Sequence, residues 1–327
     1  MMKRIALIIL SFAIIYTSTY SYAVAPIDPG LQMLGVENYS GALAYFKAAL
    51  QKNPQDAAAT AATADMAKVY LAQGQNKTGV QWAKKAVALV PKDATYQLLL
   101  GDAYGIYIND VGFFSKIGVA HKILAAYQQA VQLDPNNADA RSSLATYYIV
   151  APGIAGGSTD KANAQIAALD KIAPVQADLA RANMALQNKD RQKGETYLRA
   201  AVKLDKTGNG DLQLGLVLAS QNHYPEAIAA FEDGIQKDPT VSTNYYQVGH
   251  VAVLGKIHVQ EGIEDLQKYL AMPHSWHPDV PTYKWAHYRL GMLYGILGDK
   301  ANEKAQYEAA VKLNPDFKDA KKALAKM

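Results

Sequence analysis

The chain of 327 residues contains no cysteine. That absence excludes disulfide frameworks, thiolate zinc sites, iron–sulfur clusters, thiol nucleophiles and lipid attachment through an N-terminal cysteine. A dominant sign of charge is lacking as well. The sequence has 33 Lys and Arg against 29 Asp and Glu, a formal net charge of +4, and no run of five like charges. Nucleic acid and anionic membrane are therefore poor candidates for partners. Catalytic patterns are also missing: there is no HExxH helix, no nucleophile elbow and no interpretable pair of carboxylates on one helical face, so the chain reads as non-enzymatic. Charged residues at 19% and a mean hydropathy of −0.12 suit a soluble folded protein.

What is present begins with a processing signal. A basic start, Met1-Met2-Lys3-Arg4, precedes the apolar run Ile5 to Ile15 and a polar stretch from Tyr16 to Tyr22. Eleven residues fall short of the roughly 20 that a spanning helix needs, so the segment reads as a secretory signal peptide over residues 1–23. Cleavage is expected after Ala23, with Ala25 marking a second choice before Pro26. Without Lys3 and Arg4 the mature charge falls to +2 and points at no partner. No later stretch is long and apolar enough to span a membrane, so the mature chain, residues 24–327, is expected in the bacterial periplasm or secreted.

The length is explained by repetition. Single cores stop growing at roughly 250 to 300 residues, and here one helix-ending phrase recurs instead: KAALQKNP at Pro54, KAVALVP at Pro91, QAVQLDP at Pro135 and EAAVKLNP at Pro315. Weaker copies stop at Pro174, Lys206, Pro239 and Pro273, at spacings of 32 to 44 residues. Upstream of most stops lies a large, small, aromatic or apolar pattern, as in Leu100-Gly101 with Tyr104, Leu144-Ala145 with Tyr148, Leu214-Gly215 with Leu218 and Leu290-Gly291 with Tyr294. The partner segments read small, bulky, small, as in Ala42, Phe46 and Ala49, or Ala227, Phe231 and Gly234. Both spacings keep to one helical face. Small residues let paired helices approach, the bulky ring fills the hole opposite, and proline closes the unit.

These residues resemble the tetratricopeptide repeat family over Leu31 to Met327. The resemblance implies an all-α, right-handed superhelical solenoid of about eight helix pairs. The first pair is expected to be truncated, and Asp316 to Met327 to form a capping helix. Two units exceed the period, giving expected insertions at about 105–116 and 149–159. The first carries Tyr107, Phe113 and Phe114; exposed they would form a partner site, tucked in they would cap the groove, and packing is preferred. The second holds Gly153, Gly156 and Gly157 but lacks the Gly-Lys-Ser/Thr ending of a phosphate loop, so it reads as a conformationally demanding connector. Asp205 to Asp211 mimics the start of a calcium loop, yet the closing glutamate position is Leu216, so an inter-repeat turn is expected.

The resemblance also places function on the concave wall formed by the first helix of each pair. Positions flanking the Leu-Gly pair assign to it Asp65, Lys68, Asp102, Thr146, Asn183, Gln213, Tyr246, His250, Tyr288 and Arg289. Some family members clamp a terminal carboxylate with a Lys, Asn and Arg set; only Lys68 and Asn183 match in type, in non-adjacent units. Tyrosines supply rigid amphipathic contact area, so peptide segments of envelope or secreted proteins are the expected partners. No cofactor is expected. The alternatives are a holdase chaperone, or a metal or haem carrier built on His274 and His277.

Overall fold

The computed structural model describes residues 28–52, 57–272 and 280–327. The signal segment, the stops at Pro54 and Pro273 and the pair His274 and His277 lie outside the described residues. Among the described residues the chain is all helix, with 17 α-helices and no strand. They run α1 Pro29–Gly35, α2 Tyr39–Lys52, α3 Ala57–Ala72, α4 Asn76–Leu89, α5 Ala94–Tyr107, α6 Phe113–Leu133, α7 Ala138–Val150, α8 Thr159–Ile172, α9 Pro174–Gln187, α10 Arg191–Leu204, α11 Asn209–Ser220, α12 Tyr224–Lys237, α13 Ser242–Gly255, α14 Val259–Ala271, α15 Tyr283–Ile296, α16 Lys300–Leu313 and α17 Lys318–Leu324. Taken two by two these are eight pairs and a cap, and the seven-residue α1 is the shortened first helix. No helix of the described residues is long and apolar enough to cross a membrane.

The chain divides into two compact units. A mid-chain unit comprises residues 83–201, and a terminal unit comprises the described residues up to 82 together with 202–327. Within each, the small-to-aromatic device works as the pattern predicts. A Cβ on Gly101 would lie 2.4 Å from the Tyr127 ring, and one on Gly291 would lie 2.5 Å from the Tyr307 ring. No larger residue fits without moving an aromatic that is itself buried, because packed interiors leave no spare volume. Phe46 and Phe231 are likewise buried on the second helices of their pairs.

Helix ends follow local chemistry. Asp93 Oδ1 accepts the Thr95 N–H at 2.7 Å to start α5, Asn137 Oδ1 accepts the Ala140 N–H at 2.9 Å to start α7, and Asp299 Oδ1 accepts the Asn302 N–H at 3.1 Å to start α16. Pro91, Pro135, Pro239 and Pro315 each follow a helix end by two residues. Pro174 likewise stands two residues past the end of α8, and it has a second use. It opens α9 as the first helical residue, where its missing N–H is no loss.

The insertions resolve differently. Residues 105–116 are not an inserted loop: α5 runs through Tyr107, α6 starts at Phe113, and most of the excess lengthens α6 to 21 residues. After Gly112 no proline interrupts FFSKIGVAHKILAAY and its single Gly118 is tolerated, so the surplus is absorbed as extra turns. The packing reading of its aromatics is overturned for two of them, since Phe113 is 52% and Phe114 91% exposed, whereas Tyr107 is half-buried. Residues 151–158 do form a demanding connector. A 3-10 turn, Gly153–Ala155, leads to Gly156 at φ 91°, and a Cβ on Gly157 would collide with the Ala151 carbonyl. Asp205 is likewise spent on a turn: its Oδ1 accepts from Thr207 N at 2.8 Å and its Oδ2 from Gly210 N at 2.6 Å.

Candidate functional site

In the terminal unit, α13 and α15 bring Tyr246, His250, Tyr288 and Arg289 together. Tyr246 is nearly buried, its ring 5.5 Å from Tyr269 and 6.0 Å from His250. Below it, Tyr283 Oη donates to the Met272 carbonyl at 2.6 Å and Tyr269 Oη donates to the Pro281 carbonyl. The rings are thus fixed by their hydroxyl ends as well as by contact, which makes a rigid floor.

Arg289 lies over that floor. Its guanidinium carbon is 5.9 Å from the ring centres of both Trp285 and Tyr288, within cation–π range. One terminal nitrogen reaches Met292 Sδ at 3.7 Å, and the group hydrogen-bonds the Tyr246 phenol. Burial raises the Tyr246 phenol above its ordinary pKa, and Arg289 acts against that rise. His250 is pushed down to about 4, first by burial and then by the Arg289 charge, so its imidazole is neutral at pH 7. Among the described residues no carboxylate pairs with Arg289, and its Nε is buried without a hydrogen-bond partner. A guanidinium carries five donors in a flat fork that matches carboxylate or phosphate. Arg181, in the mid-chain unit, shows the contrast: Asp170 at 2.5 Å and Asp178 at 2.9 Å use it up.

The other wall residues divide between the two units. Asp65 and Lys68 pair with each other at 2.8 Å on α3, so Lys68 is no free cation. Gln213 is half-buried on α11. In the mid-chain unit Asp102 accepts the Tyr127 hydroxyl at 2.8 Å, and burial pushes its carboxyl up to about 7, with Tyr127 opposing and the Asp139 charge adding. Thr146 and Asn183 are buried, with Thr146 Oγ1 and Asn183 Nδ2 unpartnered. Thr146, Asn183 and Tyr246 therefore do not offer the open surface expected of them, because neighbouring helices cover the positions next to the small residue. Tyr288 is half-buried and packs on Phe317, 5.4 Å away, ahead of the capping helix. Trp285 was not among the sequence candidates. Its position four residues before Arg289, on the same helical face, was the available signal.

Helix pairs of this length, stacked with a small residue on one and an aromatic on the other, define a repeat scaffold. Comparison with known families agrees: tetratricopeptide repeat models match residues 33–103, 179–242 and 286–317. The chain is a tetratricopeptide repeat protein. No curated protein matches it. Solved structures similar to it include a thermophilic tetratricopeptide repeat protein of Thermus thermophilus, at 20% identity, TM-score 0.44, with 68% of this chain and 95% of that one covered. A tetratricopeptide repeat protein of Parabacteroides merdae is similar at 13% identity, TM-score 0.43, covering 90% and 94%. The Cut9-Hcn1 hetero-tetramer of the APC/C is similar at 14% identity and TM-score 0.47; 90% of this chain aligns, spanning 54% of that one.

Proposed function

We propose that this protein is a non-enzymatic scaffold that binds acidic segments of partner proteins, with Arg289 as the anchor. The observation that carries the reading is a guanidinium that has no carboxylate partner among the described residues and is held over Trp285 and Tyr288 beside a neutral histidine. Leaving a buried donor unmatched costs about 1 to 3 kcal/mol, a cost that an arriving carboxylate removes. The aromatic rings supply apolar contact around it, the pattern of an interface anchor. The N-terminal segment supports export, which would make envelope or secreted proteins the source of such partners.

The test is a fluorescence anisotropy titration of the mature chain against arrayed peptides with free acidic groups and their amidated counterparts. Arg289→Ala is expected to weaken acidic peptides about tenfold or more, equivalent to about 1.4 kcal/mol, with Arg289→Lys between. Equal binding by the native chain and Arg289→Ala would remove the assignment.

A further inference from the structure

The turn between α1 and α2 contains an anomaly that the binding wall does not use. Glu37 stands at φ 60°, a left-handed conformation that glycine adopts freely and a residue with a Cβ does not. Its side chain is only 2% exposed. A strained position would ordinarily hold Gly or Asn, and an unpaired carboxylate this enclosed would be strongly unfavourable.

What compensates it lies 247 residues away. Lys284 Nζ stands 3.6 Å from Glu37 Oε2, and the Lys284 backbone N–H donates to Oε1 at 3.5 Å. The Tyr39 hydroxyl hydrogen-bonds the same carboxylate. Lys284 is the second residue of α15, whose N-cap residue Thr282 makes no side-chain cap bond. Glu37 thus supplies from the first repeat both the acceptor and the negative charge that the start of α15 lacks. The helix so capped carries Trp285 and Arg289.

We infer that Glu37 is a latch: its carboxylate docks the first helix pair on the head of α15, and this ion pair holds that docking in place. The first and eighth helix pairs are then coupled by one replaceable contact, and whatever weakens it releases the first pair from the helix that bears the binding wall. This inference shares α15 with the proposed function but does not depend on any ligand.

The absence of cysteine makes the test direct, because two introduced thiols are the only ones to label. Spin labels at Ser40→Cys on α2 and Ala301→Cys on α16, both exposed positions, report the docking by pulsed electron resonance. The full chain is expected to give one narrow distance distribution. Glu37→Lys and Lys284→Glu should each shift it to longer, broader distances, and the double exchange should restore it. A distribution unchanged by either single variant, or opened by both and not restored by the exchange, would overturn the latch. Circular dichroism on each variant separates release from unfolding. Arg289→Ala should leave the distances alone, so failure of the peptide-binding reading and failure of the latch are told apart.

Discussion

Among the described residues, the mid-chain unit holds an acid with no base paired to it, and the terminal unit holds a base with no acid paired to it. Asp102 has a tyrosine hydroxyl and the nearby Asp139 charge for company; Arg289 has two aromatic rings, a phenol and a neutral imidazole. Both arise on the first helix of a pair, within two residues of the small position that admits an aromatic from the second helix. The packing device is common to both regions while the polar neighbours are not. Repeat architecture therefore fixes where a side chain stands and leaves its electrostatic character to the individual unit.

The largest effect should come from the shared device. Tyr127→Ala and Tyr307→Ala each empty the space above a glycine and should cost about 3 to 5 kcal/mol in urea unfolding. Tyr127→Ala should also alter the pH dependence, because it takes a donor from Asp102, while Tyr307→Ala should not. Equal pH profiles for the two would break the comparison.

Next in size, the two regions should respond to pH in opposite senses. Asp102 titrates near 7 in the folded chain and near 3.8 when unfolded. Between those values the folded state binds the extra proton, so stability falls as pH rises from about 4 to 7. His250 titrates near 4 when folded and near 6.5 when unfolded, so its contribution is lost as pH falls from about 6.5 to 4. At its limit the Asp102 effect is on the order of 4 kcal/mol and the His250 effect on the order of 3 kcal/mol. Hydrogen exchange across this pH range should show α5 loosening towards neutral pH and α13 loosening towards acid. Asp102→Asn and His250→Asn should each flatten one slope only, and a flat profile in the native chain would contradict both assignments.

A smaller change separates structure from binding at Arg289. Arg289→Met keeps the apolar stem and deletes the unmatched Nε donor, so stability should rise by about 1 kcal/mol while acidic peptides are lost. A loss of stability in thermal unfolding would mean that the guanidinium holds the fold rather than a partner.

How much of this was legible in the sequence depends on the range of the interaction. The repeat stops, the glycine beneath each aromatic, the truncated first helix, the capping segment and the demanding connector at 151–158 rest on contacts within one or two helices, which spacing reveals. Pro174 marks the stop after α8, as its spacing predicts, and also opens α9, because proline is compatible with both sides of a helix boundary. Tyr246, Thr146 and Asn183 looked like surface and are buried. Tyr246, for one, is covered by residues of α14 and α15 as well as its own helix, an approach that no single-helix pattern encodes. Tyr246, His250, Tyr288 and Arg289 were read as wall residues and do meet. That Arg289 has no acid partner among the described residues is a fact of three-dimensional neighbours, as is the contact between Glu37 and Lys284.

The smallest expected effect belongs to the aromatics that the sequence reading tucked away. Phe113 and Phe114 meet edge to face, with ring centres 5.6 Å apart, at the exposed start of α6. Neither ring enters the buried core, so Phe113→Ser and Phe114→Ser should each change stability by no more than about 0.5 kcal/mol in urea unfolding. They also serve as a control for the opposed pH slopes, since they lie in the same unit as Asp102 without touching its carboxyl. If that slope is the titration of one enclosed acid, both variants retain it in full. If it reflects general loosening of the mid-chain unit, a polar residue at the start of its longest helix should steepen it.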